Sequence, residues 1–130
     1  LAEMGETRGA LAASDNSQLQ AIGKALGCAI VALDEATEWL LKTYDAAPQA
    51  AAAGAVPFLK LTGVVAGAWQ MARAAHIAAA RVGEEGGDFY RAKLVTARYF
   101  AEHVVPEAVC YREAILNGAD SVLALEEALF

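Results

Sequence analysis

Cysteine and histidine are scarce in this chain of 130 residues, which contains two of each. Cys28 and Cys110 lie far apart in sequence, so no cysteine pair has the spacing of a zinc site. Neither His76 nor His103 has a glutamate three positions before it, which excludes the Glu-x-x-His pairs of helical di-iron proteins. The sequence therefore predicts no metal site, and both histidines are expected at the surface or as hydrogen-bonded core residues.

Nucleotide-binding loops and strand patterns are also missing. None of the 11 glycines belongs to a Gly-x-Gly-x-x-Gly motif that follows a strand, and no phosphate loop occurs. No stretch alternates polar and apolar residues in the way a half-buried strand does. Both cysteines fall in helical patterns, where we expect buried, reduced thiols, although two helices could also bring them together as a disulfide.

Basic residues are outnumbered, with 10 Lys and Arg against 16 Asp and Glu and a net charge of −6. This balance argues against nucleic acid or an anionic membrane as the main partner, since both require a basic face. The apolar stretch from Phe58 to Ala80 is interrupted by Lys60, Gln70 and Arg73, which favours a buried helix over a membrane span. No basic segment precedes an apolar run, so we expect no signal peptide and a cytoplasmic location.

Helical periodicity is what the sequence does contain. A short leading helix is expected over residues 1–13, and Ser14 to Ser17 supply N-cap residues for a long amphipathic helix that Pro48 ends. The apolar stripe of this long helix recurs every three or four residues: Leu19, Ile22, Leu26, Ile30, Leu33, Thr37, Leu40 and Tyr44. Glu38 and Lys42 form a favourable pair one turn apart on its polar side.

Two further long helices are predicted. One starts near Pro48 or Gln49 and runs to Val82, with a kink or short break at Pro57. Its stripe is Phe58, Leu61, Val65, Trp69, Ala72 and Ala79, and Gly63 and Gly67 on it are expected to admit a closely packed neighbour.

The last long helix follows a turn at residues 83–87, with Asp88 as its N-cap and a bend at Pro106. Asn117-Gly118 should end it through a left-handed residue. Ser121 should cap a final short helix. Its apolar residues Leu125, Leu129 and Phe130 should pack this helix against the bundle. The prediction is one all-α domain over residues 1–130, an antiparallel bundle of three long helices, up-down-up, with short helices at the ends.

Few residues are candidates for chemistry. The adjacent carboxylate pairs point about 100° apart on a helix and make poor acid-base pairs; they are Asp34-Glu35, Glu84-Glu85 and Glu126-Glu127. Arg91 and Arg98 share a helix face and either bind an anion or pair with glutamates of a neighbouring helix. Trp39 and Tyr99 lie beside the stripes and either widen the core or mark a partner-facing patch.

Two segments carry a family resemblance. Residues 57–69 read Pro-Phe-Leu-Lys-Leu-x-Gly-x-Val-Ala-Gly-x-Trp, and residues 89–101 read Phe-Tyr-x-Ala-Lys-Leu-x-x-Ala-Arg-Tyr-Phe-Ala, with Gly118-Ala119 before the last short helix. In order and spacing these segments resemble the C-terminal helical domain of bacterial acyl-CoA dehydrogenase-like proteins. The resemblance extends from about Leu19 to Phe130, and residues 1–18 look like the link from an upstream core.

The resemblance implies a parent protein that oxidises an acyl-CoA to the 2,3-enoyl-CoA with FAD, as in fatty acid metabolism. The family's catalytic carboxylate and most flavin contacts belong to the upstream core, so no catalytic, cofactor-binding or metal residue is assigned to this chain. The expected role is subunit packing or shaping of the site, with the core, a second copy or both as partners. The alternative is a free-standing helical interaction module; a protein that coats hydrophobic granules is a weaker third hypothesis.

Overall fold

The computed structural model describes residues 1–125 and 127–129. Within these ranges it contains seven α-helices, one 3-10 turn and no strand, which confirms the all-α prediction. In chain order the elements are α1 (Ala2–Ala12), α2 (Ser17–Tyr44), α3 (Pro48–Ala53), α4 (Ala55–Arg81), α5 (Gly87–His103), α6 (Glu107–Asn117), α7 (Ala119–Leu123) and the 3-10 turn Glu127–Leu129.

The bundle is formed by α2, α4 and a third rod made of α5 followed by α6. Helix α4 contacts α2, α5 and α6, and α2 contacts both halves of the third rod. Helix α1 packs against α2 and α4. Its Leu11 is fully buried, and Trp69 Nε1 on α4 donates a hydrogen bond to Thr7 Oγ1 at 2.9 Å. Residues 2–12 are therefore part of the packed bundle.

Helix α2 begins where its caps were predicted. The Asn16 side chain accepts hydrogen bonds from the backbone N–H groups of Gln18 and Leu19, which have no partner within the helix. The predicted stripe is correct over its first half but wrong at its end, because Tyr44 is 67% exposed and Ala36 is buried instead. The predicted pair of Glu38 and Lys42 is present, with Nζ and Oε2 3.1 Å apart.

The predicted interruption before α4 is confirmed, but it lies at Gly54, three residues before Pro57. Pro57 is the third residue of α4, where a backbone N–H would have no intrahelical partner, so the proline fits without a kink. Gly54 is buried against Leu40 and Ile115. A Cβ atom placed there would lie 3.4 Å from Ile115 Cγ2 and 3.5 Å from Leu40 Cδ2, which is ordinary van der Waals contact.

The third rod is broken, not merely bent. Helix α5 ends at His103 and α6 starts at Glu107, and the N–H groups of Val104 and Val105 both bond to the carbonyl of Phe100. At the start of α5, Asp88 is not the N-cap: Gly86 takes that position with φ of 81°, a left-handed conformation that suits glycine. Asp88 lies in the first turn and pairs with Arg91.

The end of the described chain differs from the prediction. Gly118 has φ of −90° and is not left-handed, and α7 starts directly after it, two residues before Ser121. The Ser121 hydroxyl donates to the Gly118 carbonyl instead of capping the helix. Leu125 and Leu129 are at least half exposed, so they do not dock the segment. Phe130 lies outside the described residues.

The core is built largely from alanine. Of the 21 buried apolar residues, 11 are alanines, and no polar or charged residue among those described is buried. Small side chains let helices approach closely: a Cβ atom placed on Gly67 would lie 2.9 Å from Phe100 Cζ on α5. Gly63 has no such neighbour within 4 Å, so the prediction for the glycine pair holds for Gly67 alone. None of the described helices is long and apolar enough to cross a membrane.

Candidate functional site

A groove with a volume of about 690 Å³ lies between α1, α2 and α6. Its walls come from all three helices: Arg8, Ala12, Gln20, Gly23, Lys24, Gly27, Cys28, Val31, Val109 and Arg112. Most of this lining is apolar or small. We call this space the α1/α2/α6 groove.

Two glycines on α2 form the floor where α1 crosses. A Cβ atom on Gly23 would lie 2.9 Å from Leu11 Cβ and 3.4 Å from the Arg8 carbonyl oxygen. A Cβ atom on Gly27 would lie 3.0 Å from Arg8 Cδ, so the arginine stem crosses over that glycine. The pair lies one helical turn apart, and it is this spacing that lets the two helix backbones approach so closely.

Three cationic side chains surround the groove. Arg8 and Lys24 are exposed, and neither has an ion-pair partner within the described ranges. Arg112 is held in place: its Nη1 lies 2.9 Å from Glu35 Oε2 on α2, and it also pairs with Glu113. The hydrogen bond to Glu113 raises the pKa of Arg112 above its usual value, and the Glu35 contact adds to this. Among the described residues, Arg8 and Lys24 are therefore the cations of the groove without an ion pair, whereas the charge of Arg112 is balanced by Glu35 and Glu113.

Both cysteines are exposed free thiols, which corrects the prediction that they are buried. Burial was inferred from helical pattern alone, but the inward positions beside them belong to Ala29 and Ala108. Cys28 lines the groove, whereas Cys110 does not. The two thiols are not joined as a disulfide.

The remaining predicted residues do not converge on a site. His76 and His103 are both exposed, as expected, and His103 stacks on Tyr99 with ring centroids 4.4 Å apart. Trp39 packs against the core, as one alternative predicted, while Tyr99 remains exposed on α5.

The cations of α5 bind within their own helix. Arg98 Nε lies 2.5 Å from Glu102 Oε1, and Arg91 pairs with Asp88. Both arginines therefore pair with carboxylates of α5 itself, and not with glutamates of a neighbouring helix as one of the two alternatives predicted.

The predicted carboxylate pairs are dispersed. Glu35 bonds to Arg112, and Glu84 and Glu85 are exposed in the turn before α5. Glu126 lies outside the described residues. A different carboxylate, Glu107, accepts a hydrogen bond of 2.9 Å from the Tyr111 hydroxyl and raises the pKa of that phenol. The described residues contain no group of three or more His, Cys, Asp or Glu that could hold a metal ion.

A flavin does not fit the described residues. Its ring system needs a deep apolar slot with hydrogen-bonding groups aimed at the ring nitrogens and oxygens. The internal gap beside Phe100, Met71 and Ile22 is too small for a water molecule, and its lining is apolar throughout. The α1/α2/α6 groove is roomy but is an open surface feature. We therefore derive no redox step from these side chains.

Apolar side chains are left uncovered on two helices of the bundle. On α4, Val56 and Leu59 are exposed, and on α5, Phe89, Val95 and Tyr99 are exposed. Val95 and Tyr99 are four residues apart and so lie on adjoining turns of one outer face of α5. Contiguous exposed apolar residues of this kind are typical of a contact surface.

Sequence reasoning missed the groove. Arg8, Lys24 and Arg112 come from three helices and have no pattern along the chain. The available signal was the spacing of Gly23 and Gly27, which is the same as the spacing that drew attention to Gly63 and Gly67.

Comparison with known proteins agrees with the resemblance seen in the sequence. A family model described as "Acetyl-CoA dehydrogenase C-terminal like" matches residues 1–126. The chain is also similar to the 3-methylmercaptopropionyl-CoA dehydrogenase of Ruegeria pomeroyi (strain ATCC 700808 / DSM 15171 / DSS-3), with 37% identity over 105 residues. The match covers 80% of this chain but 18% of that enzyme, so the chain spans less than a fifth of its relative. The chain belongs to the acetyl-CoA dehydrogenase C-terminal-like family.

Proposed function

We propose that this chain is the non-catalytic C-terminal domain of an FAD-dependent acyl-CoA dehydrogenase, with a role in docking. The oxidation of acyl-CoA to 2,3-enoyl-CoA is carried out by a core that precedes it. One observation carries the proposal: residues 1–126 match a C-terminal domain family, and the dehydrogenase relative is more than five times as long as the matched region.

The chemistry of the interior supports the assignment of catalysis to another part of the protein. Every buried side chain among the described residues is apolar. General acids and bases are usually set up by partial burial beside other polar groups. The titratable side chains described here lie at the surface, and those that are paired bind mostly to neighbours in their own helix.

The uncovered apolar residues support docking as the role. Leu59 on α4 and Val95 on α5 are 73% and 66% exposed. Covering such side chains with a partner is favourable by about 25 cal/mol per Å² of apolar surface. The core and a second copy are the proposed partners, with residues 1–18 as the connection from the core and the cytoplasm as the location.

The test is to purify this chain and measure flavin absorbance near 450 nm together with acyl-CoA oxidation in the presence of an artificial electron acceptor and added FAD. We expect no bound flavin and no turnover, while the full-length parent protein, assayed in parallel, has both. A yellow, active chain would overturn the proposal.

A free-standing interaction module is the alternative, and the same uncovered face on α5 is compatible with it. The gene distinguishes the two. A start codon directly before Leu1 with no dehydrogenase core upstream would favour the free-standing module.

A further inference from the structure

We propose that the polypeptide preceding Leu1 in the parent dehydrogenase continues α1 as a helix and covers the exposed side chains of Leu41 on α2 and Leu59 on α4. We call these two residues the Leu41/Leu59 pair. The inference rests on the proposed function, because it requires a core that precedes this chain, and it identifies one contact by which that core is joined to the bundle.

Helix α1 lies against both α2 and α4 and sets the direction from which the preceding polypeptide arrives. Leu11, near the end of α1, meets Gly23 on α2 and lines a small groove together with Ile77 on α4. Thr7, one turn earlier, bonds to Trp69, which precedes Ile77 on α4. Helix α1 therefore runs parallel to α4, and its N-terminus points toward the end of the bundle where α3 connects α2 to α4.

The Leu41/Leu59 pair lies on the same two helix faces that α1 covers, farther toward α3. Leu41 is 18 residues after Gly23 on α2, and Leu59 is 18 residues before Ile77 on α4. This separation corresponds to about five whole turns, so each leucine faces the same side of its helix as the residue that meets α1. Both leucines are displaced by about 27 Å in the direction in which the N-terminus of α1 points.

The start of α1 is close enough for the preceding residues to reach this pair. Leu1 is ten residues before Leu11, or about 15 Å along a helix, so the pair lies roughly 12 Å farther on. About eight additional residues of helix span that distance. Leu1 occupies the N-cap position without a side-chain hydrogen bond to the first turn, and a helix that continues before it would supply backbone carbonyls to those N–H groups.

The pair has the most exposed large apolar side chains of the described residues. Leu41 is 72% exposed and Leu59 is 73% exposed, whereas Leu11 of α1, which packs on the same faces, is fully buried. A helix usually gains its stability by burying one apolar stripe. A continuation of α1 with apolar residues toward the pair would therefore extend a contact that the bundle already makes.

The preceding polypeptide is a better occupant than a second copy, because it leaves Leu1 in the direction of the pair. A second copy that docked here would have to approach past these residues. The preceding residues are also covalently attached, so their contact is intramolecular and avoids the loss of translational freedom that a free partner undergoes.

The first test is thiol alkylation in this chain and in the full-length parent protein, both carrying Cys28→Ser and Cys110→Ser. A single cysteine is introduced as Leu41→Cys, as Leu59→Cys or, for the control, as Glu85→Cys in the exposed turn at the opposite end of the bundle. Iodoacetamide should modify the first two at least about tenfold more slowly in the parent than in this chain, because a covered thiol reacts only after local opening. The rates for Glu85→Cys should agree within about threefold.

The second test identifies what covers the pair. In the full-length parent, a cysteine is moved through successive positions centred about eight residues before Leu1 and is combined with Leu59→Cys. Mild oxidation should form a disulfide at one or more of these positions, since a disulfide requires Cα atoms within about 7 Å of each other. The same scan combined with Glu85→Cys should form none. Circular dichroism confirms that each variant keeps its helix content.

Three outcomes would overturn the proposal. They are equal alkylation rates in the parent and in this chain, protection that rises with protein concentration and so identifies a second copy, and a scan without a disulfide to Leu59→Cys. Flavin content and acyl-CoA oxidation are measured on the same parent samples. A parent that binds flavin and turns over but leaves the pair exposed contradicts this contact alone, whereas a gene without a dehydrogenase core before Leu1 contradicts the proposed function as well.

Discussion

Gly23 is the residue on which the packing of α1 most directly depends. An added Cβ would meet Leu11 Cβ and the backbone of α1, neither of which can move without shifting the whole helix. Gly63, by contrast, faces open space on α4. Substituting alanine at both positions therefore distinguishes two effects on stability. At Gly63 the substitution changes helix propensity alone, and at Gly23 it also crowds α1.

Gly23→Ala is expected to lower the free energy of unfolding by about 1 to 2 kcal/mol, since overpacking exceeds the gain in helix propensity. Gly63→Ala, the matched control, should raise it by up to about 1 kcal/mol. Urea denaturation followed by circular dichroism measures both. Equal shifts in the two variants would contradict the close contact between α1 and α2.

Tyr111 is the residue whose titration reports local structure. The Glu107 carboxylate accepts a hydrogen bond from the Tyr111 hydroxyl and raises the pKa of the phenol above the usual value, and partial desolvation adds to this. A raised pKa means that the contact stabilises the fold below the unfolded pKa of about 10 and that this contribution is lost as pH rises through the folded value.

We therefore expect Tyr111→Phe to remove tyrosinate absorbance change, measured at 295 nm, from the high-pH end of the titration curve. Glu107→Gln should move that part of the change toward lower pH, because the charge that opposes ionisation is gone. A uniform loss across the whole titration curve in Tyr111→Phe would contradict the assignment.

At the scale of elements, the attachment of α1 to α4 is held by a polar contact beside the alanine core. Trp69 Nε1 donates to Thr7 Oγ1, and Thr7 in turn donates to the carbonyl of Glu3 within α1. A double-mutant cycle with Trp69→Phe and Thr7→Val should give a coupling of about 1 kcal/mol in unfolding free energy. Thr62→Val is the control, since that hydroxyl bonds only to Phe58 in its own helix, and no coupling to Trp69 is expected.

The elements also show what the sequence could and could not predict. Periodicity located α2 because its cap and stripe are local, and it predicted the interruption near Pro57 and the one near Pro106. It misplaced the first of these because Pro57 is accommodated in the first turn of α4, so that the boundary between α3 and α4 lies at Gly54 instead. It assigned Tyr44 to the core because apolar spacing cannot distinguish an aromatic residue at a helix end from the buried Ala36.

The candidate site was less predictable than the fold. Ion pairs one turn apart, such as Glu38 with Lys42, follow from sequence spacing. The contact of Arg112 with Glu35 joins two helices, and the groove that it borders depends on how α1 is seated against α2. These relations exist only after the helices have packed.

For the whole molecule, stability should be unevenly distributed. The buried residues lie on α1 to α6, and α7 has none. In dilute solution the amides of α7 should exchange with deuterium faster than those at the middle of α2 by about two orders of magnitude or more. Equal protection of α7 and α2 in dilute solution would contradict this distribution.

The alanine interior has a consequence for how this domain tolerates mutation. A buried leucine or phenylalanine can be replaced by several smaller apolar residues. A buried alanine carries a single methyl group, so glycine is the one smaller residue that can replace it. Almost every substitution at buried positions such as Ala72 and Ala75 therefore introduces a larger side chain. Such a side chain overpacks the core and forces neighbouring helices apart. We expect natural variants of this interior to remain small at these positions, and sequence diversity to accumulate on the outer faces instead.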